Sequence, residues 1–171
     1  MWSRVLRFVA ALILAATAWY NLSPAYGRFL AAAAAPLLKI DARFGEANIT
    51  AIQRFMRVGG SVPLADVPAS ELTYNVILLV ALFAANGRPL SAGNVRGFLI
   101  SLVILVVMHI VAVVLSIEAT YAAHMGEYSQ AHYGTGGYFF WVYAELFYRL
   151  VGMFGVVFAC WWLTGERTVR S

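Results

Sequence analysis

Residues 97–117 read G-F-L-I-S-L-V-I-L-V-V-M-H-I-V-A-V-V-L-S-I, and this stretch decides the fold class. It is twenty-one residues long, and its one strongly polar member is His109. A helix rises about 1.5 Å per residue, so the run covers the roughly 30 Å hydrocarbon core of a bilayer. A backbone inside hydrocarbon must satisfy its own hydrogen bonds, which a helix does.

The rest of the chain fits that solvent. Of 171 residues, 62% are apolar and 12% charged. Soluble domains carry about a quarter charged residues, so this chain has too few to coat a water-facing surface. The composition predicts an all-α integral membrane helical bundle forming a single domain over 1–171. About four transmembrane helices are expected, at residues 5–22, 72–85, 97–117 and 138–163. The first follows Arg4 and Arg7 and ends in Trp19 and Tyr20. That aromatic pair suits the interface belt of a retained helix better than a cleaved signal peptide. The fourth is aromatic-rich and closes on Trp161 and Trp162.

Two outer segments remain, 23–71 and 118–137. Residues 29–40 are apolar but broken by Pro36 and too short to cross. Residues 41–58 read as an amphipathic helix lying in the interface. Phe44, Ile49, Ile52, Phe55 and Met56 fall near one face, and Arg43, Glu46, Gln53, Arg54 and Arg57 mostly elsewhere. Gly59 and Gly60 stop it. Residues 118–137 read as a polar loop, with Y-G-T-G-G at 133–137 making a tight turn rather than a phosphate loop.

The net charge of +4 comes from eleven Arg and one Lys dispersed along the chain. No basic stripe forms, so nucleic acid is excluded as a partner. The cations read instead as topology signals and contacts to membrane lipids. Arg4, Arg7, Arg88, Arg96, Arg167 and Arg170 sit in three short segments on one side. Arg28, Lys39, Arg43, Arg54 and Arg57 are spread over the long outer segment. Their density places both termini in the cytoplasm, in a bacterial inner membrane.

Glu145 and Arg149 are four apart in the fourth span, so one helical face carries both and they can pair. His109 and Asn75 are intramembrane polar groups. A neutral His bonded to a neighbouring helix is the plain reading of His109, and proton handling the sharper one. Glu118, His124, Glu127 and His132 gather in the second outer segment. Their spacing matches no strong metal motif, so no metal is expected there. The lone Cys160 lies in an apolar run and reads as an inert thiol. No catalytic constellation emerges and no cofactor is implied.

L-T-Y-N-V-I-L-L-V-A-L-F-A-A-N-G-R-P at 72–89, then the Arg96-led span with M-H-I, then H-Y-G-T-G-G-Y-F-F at 132–140, resembles the later part of exosortase and archaeosortase family proteins. The whole chain is similar to the small membrane proteins associated with exosortases. Trp19 and Tyr20, the long segment 23–70 and the helix at 72–85 carry that likeness. The resemblance implies a role beside a membrane enzyme that processes sorting signals of exported proteins. Family enzymes use a Cys, then an Arg, then a His. Here Tyr74 or Asn75 stands where the Cys belongs, His109 stands near the Arg-bearing stretch, and His132 matches the His. Lacking the nucleophile, the chain reads as a relative without the catalytic Cys.

The expectation is therefore a non-catalytic accessory subunit partnering another inner-membrane protein, or a second copy of itself, in exosortase-type sorting or export. Two alternatives stand beside it. One is a small proton-coupled transporter or channel subunit using Glu145, Arg149 and His109. The other is an outer-face membrane enzyme using His124, Glu127 and His132.

Overall fold

A computed structural model describes residues 2–52, 55–68 and 70–164. The described chain is mostly helical. Its elements are α1 (Trp2–Leu38), β1 (Asn48–Ile52), β2 (Phe55–Gly59), β3 (Ala65–Pro68), α2 (Asn75–Ala84), α3 (Ala92–His124), α4 (Glu127–Phe147) and α5 (Met153–Thr164). A π-helical turn, Tyr148–Gly152, joins α4 to α5. Three helical runs are long and apolar enough to cross a membrane: Trp2–Leu38, Ala92–His124 and Glu127–Thr164. At about 1.5 Å per residue each exceeds the hydrocarbon thickness.

The segment expected as a second span is shorter. Residues 70–84 form a 3-10 turn and the ten-residue α2. Residues 29–40 do not form a separate piece, because α1 runs through Pro24 and Pro36 to Leu38. An interior proline costs a helix about 3 kcal/mol. The alanine run 31–35 before Pro36 has the highest helix propensity and supports continuation.

The amphipathic helix expected at 41–58 is not formed. Ala42–Phe44 make one 3-10 turn, and residues 48–52 and 55–58 belong to β1 and β2 of a three-stranded antiparallel sheet in the order β1-β2-β3. The period is two, not 3.6. Met56 and Val58 of β2 and Ala65 and Val67 of β3 are buried, and the residues between them point outward. Ile49, Thr50, Ile52 and Val58 are β-branched and favour the pleated backbone. Gly60 turns the chain with φ +99°, and a Cβ there would sit 2.9 Å from the Glu46 carbonyl oxygen. Gln53 and Arg54, assigned to the expected helix, lie outside the described residues.

The polar loop expected at 118–137 is also helical. Helix α3 continues to His124, and α4 begins at Glu127. Residues 125–126 turn between them, and Gly126 takes φ +58°. Ser129 Oγ accepts from Met125 N–H at 2.9 Å and donates to Tyr121 O at 2.7 Å, which closes the turn. A kink falls at Gly134, φ +56°, inside Y-G-T-G-G.

The fold divides into two compact units. The first holds residues 2–22, 74–107 and 153–164 of the described chain. Its core is Val76, Leu79, Phe83, Leu105 and Val157, flanked by Trp19, Phe98 and Trp161. The second holds 23–52, 55–68, 70–73 and 108–152. Phe44 and Tyr121 are fully buried there and meet edge to face at 5.1 Å.

Candidate functional site

Asn86 knots the first unit. Its carbonyl accepts from Arg7 at 3.1 Å, its Oδ1 accepts from Trp161 Nε1 at 3.2 Å, and its amide donates to Asn94. Asn94 Nδ2 in turn donates to the carbonyls of Pro89 at 2.8 Å and Phe83 at 3.2 Å. Three separate parts of the chain therefore converge: the start of α1, the 85–91 turn and the end of α5. Gly97 makes the approach possible, because its Cβ would stand 2.1 Å from the Thr164 carbonyl oxygen. Asn75, an intramembrane candidate, donates to the Met153 carbonyl at 2.8 Å and so ties α2 to α5. It acts as structural glue, as polar groups between membrane helices do. Cys160 is buried, with its thiol unbridged. Arg167 and Arg170 lie outside the described residues.

The second unit holds the charge chemistry. Glu118 is only 3% exposed. Its Oε2 accepts from the Tyr133 hydroxyl at 2.8 Å and from Arg43 Nη2 at 3.2 Å. Arg43 also grips Asp41 through Nε at 2.9 Å and stacks over the Tyr133 ring, 3.9 Å from its centre. The hydrogen bond from Arg43 holds the Asp41 carboxyl below the usual carboxylate range, and the same bond pushes the guanidinium up. A carboxylate this buried needs both a cation and donors. Asp41, capping the 3-10 turn, holds that cation in place, where sequence reading put the polar face of a helix.

A second cluster forms around Arg149. Its Nε donates to Glu145 Oε1 at 2.8 Å, Nη1 to Glu71 Oε2 at 3.2 Å and Nη2 to Ser116 Oγ at 3.3 Å. Ser116 donates to Glu145 at 2.7 Å. Three of four groups carry charge, two negative and one positive. Sequence spacing finds the Glu145–Arg149 half. Ser116 and Glu71 come from 33 and 78 residues away, beyond any local pattern.

His109 is fully buried, and its Nδ1 lies 2.8 Å from the Tyr26 hydroxyl. The rings meet edge to face at 5.8 Å. The remaining outer candidates do not converge. His132 stacks on Tyr128 at 4.1 Å, and its Nδ1 lies 3.0 Å from that residue's carbonyl. Glu127 opens α4 and is exposed, as is His124. Among the described residues no three His, Cys, Asp or Glu gather as a metal ion would require.

An open groove of about 580 Å³ runs beside the Arg149 cluster. Leu64, Asp66 and Pro68 border it on one side, and Thr120, His124, Tyr138, Val142, Glu145 and Arg149 on the other. Asp66 is held across the strands by Arg57 through two bonds of 2.8 Å. Both apolar side chains and the charged Asp66, Glu145 and Arg149 line the groove. No known family, curated protein or solved structure matches this chain.

Proposed function

We propose that the chain is a non-catalytic accessory subunit of a bacterial inner membrane, built to partner another integral membrane protein. One observation carries this reading: the charged groups of the helices are spent on one another. Glu118 is paired with Arg43 and Glu145 with Arg149, each with a hydroxyl completing the shell. Ionisable groups engaged in this way brace a scaffold. Phe139, Tyr143 and Phe147 of α4 and Leu150 of the π-helical turn are exposed at three- and four-residue spacing, a stripe broad enough for a neighbouring helix. The exosortase-like resemblance adds the process: sorting or export of surface proteins.

Four crossings with both termini in the cytoplasm fit this reading. The described part of the first unit carries Arg4, Arg7, Arg88 and Arg96 and no acidic residue. The positive-inside rule puts such an end in the cytoplasm. The Arg7–Asn86–Trp161 contacts bring the starts and ends of the helical runs to that same end. Residues 70–84 then return the chain, and their shortness against the hydrocarbon core calls for local thinning of the bilayer.

The test is affinity purification of the tagged protein from its native membrane in mild detergent, with mass spectrometry of what accompanies it. A membrane protein recovered at equal stoichiometry is the expected result. Recovery of the chain alone, from membranes where it is functional, would refute the accessory role.

A further inference from the structure

Positive charge gathers in the first unit. Its described residues carry Arg4, Arg7, Arg88 and Arg96 and no carboxylate, and residues 165–171 add two arginines and one glutamate to the sequence. Residues 23–73 and 108–152 hold six cations against seven carboxylates, so they account for none of the net +4. Arg7 shows how the cations are held. Its Nε donates to the Ser3 carbonyl at 3.2 Å, and its Nη1 to the carbonyls of Asn86 at 3.1 Å and Gly87 at 3.5 Å. All three acceptors are neutral, so the bonds fix the guanidinium without cancelling its charge. The same bonds set it beside the backbone of two further arginines. Arg4 follows Ser3 on α1, three residues from Arg7, and Arg88 follows Gly87. Both are exposed. No described carboxylate forms an ion pair with any of the three.

Like charges held together repel, most of all beside a surface of low dielectric, and an anion among them relieves the repulsion. Guanidinium forks match phosphate oxygens in both geometry and charge. The surroundings decide where the phosphate comes from. Trp2, Leu6, Val9 and Ile13 of α1, and Leu90 of the turn that carries Arg88, are large, apolar and exposed. Leu6, Val9 and Ile13 are spaced by three and four residues, so they share one helix face. A soluble phosphate gains nothing from such a surface, whereas a lipid brings acyl chains that cover it. We propose that Arg4, Arg7 and Arg88 hold the phosphodiester headgroup of an anionic phospholipid, whose acyl chains lie along Leu6, Val9 and Ile13. Arg7 is the fixed member, tied down by three carbonyls, and Arg4 and Arg88 close on the headgroup from the helix and from the turn. Such a site goes beyond the accessory role and does not depend on it.

The test places the full-length protein in nanodiscs of equal parts phosphatidylglycerol and phosphatidylcholine with identical acyl chains. Native mass spectrometry of the released protein counts the lipids it keeps. Wild type retains phosphatidylglycerol over phosphatidylcholine by about fivefold or more, and Arg4→Gln/Arg88→Gln brings the ratio to parity. Arg28→Gln/Lys39→Gln removes the same charge from two exposed positions of the second unit and leaves the preference intact. Should the first pair lose its helical circular dichroism, Arg88→Gln alone, in an exposed turn, lowers the ratio by about twofold or more. Equal retention of the two lipids by wild type overturns the proposal. So does a preference that survives Arg4→Gln/Arg88→Gln, or one that Arg28→Gln/Lys39→Gln also abolishes. Millimolar inorganic phosphate leaves the ratio unchanged; loss of the bound lipid to it would assign the cations to a soluble anion and overturn the lipid site. A companion protein that Arg4→Gln/Arg88→Gln releases, with no lipid preference in wild type, would overturn it in favour of an acidic protein surface.

Discussion

The guanidinium carbon of Arg43 lies 3.9 Å from the centre of the Tyr133 ring, and both side chains bond the same carboxylate, Glu118. The turn at 41–44, the end of α3 and the middle of α4 are thus clamped at one buried acid. Arg43→Ala leaves that acid without its cation. Removing one partner of a buried pair costs about 3–5 kcal/mol. Arg43 is 21% exposed, so the lower end is expected. Tyr133→Phe removes one donor and should cost only about 1–2 kcal/mol. Unfolding of both variants in detergent, followed by denaturant titration, ranks them. Equal losses would mean the cation contributes no more than the hydroxyl.

Asp41 makes the same clamp sensitive to acid. Its folded carboxyl is held below the usual range by Arg43. A depressed folded value means the unfolded state binds the proton more readily. The pairing therefore contributes fully above the ordinary carboxylate value of about 4, and is lost as pH falls through the lower folded value. Wild-type stability should fall more steeply below pH ~4 than that of Asp41→Asn. Parallel melting curves for the two proteins across that window would show that the shift has no thermodynamic weight.

What the sequence makes legible follows the range of each interaction. Residues 97–117 announce a helix because every position agrees, and Glu145–Arg149 is visible because i and i+4 meet on any helix. Residues 41–58 mislead because Ile49, Ile52 and Met56 satisfy helical spacing, while the alternation that wins runs through Met56, Val58, Ala65 and Val67. Only β2–β3 pairing reveals that period. Arg43 and Glu118 are 75 residues apart, so nothing local joins them. The outer segment 118–137 reads as a loop by its polarity, yet Glu118, Tyr121 and Tyr133 are buried among folded neighbours while His124, Glu127 and His132 stay exposed. Tyr121, for example, is fully buried and donates to the Pro63 carbonyl.

Gly97 separates close packing from mere helix propensity. Its Cβ would fall 2.1 Å from the Thr164 carbonyl oxygen, whereas a Cβ at Gly155 meets nothing within 4 Å. Gly97→Ala must push α3 and α5 apart, and overpacking of this kind costs about 1–3 kcal/mol. Gly155→Ala should be neutral or stabilise by up to about 1 kcal/mol through helix propensity. Thermal melts in detergent report both signs. A Gly97→Ala protein as stable as wild type would mean the two helices do not touch there.

The two ends of α3 should label from opposite sides of the membrane. Leu90 is 90% exposed in the turn before α3, and Glu127 is exposed just after it. In a Cys160→Ala background, Glu127→Cys should react with an impermeant maleimide in spheroplasts. Leu90→Cys should react only after the membrane is opened. The reverse pattern would invert the orientation, and labelling of both from outside would mean α3 does not cross.

Arg149 and Glu145 should not be equivalent, although they form one pair. Glu145→Gln keeps a group that can accept from Ser116, and leaves Arg149 bonded to Glu71. The loss is one charge-assisted bond, about 1 kcal/mol or less at a part-exposed site. Arg149→Gln instead leaves Glu71 and Glu145 converging on a vacated position with no cation between them. Like charges then repel beside a surface of low dielectric, and the cost should reach about 2–3 kcal/mol. Adding Glu71→Gln to Arg149→Gln should recover part of that loss, because it removes one of the two opposed charges. Stability of the three variants, measured in one detergent at neutral pH, decides the point. If Glu145→Gln is the more damaging change, the cluster is organised around the acid and its serine rather than around the guanidinium.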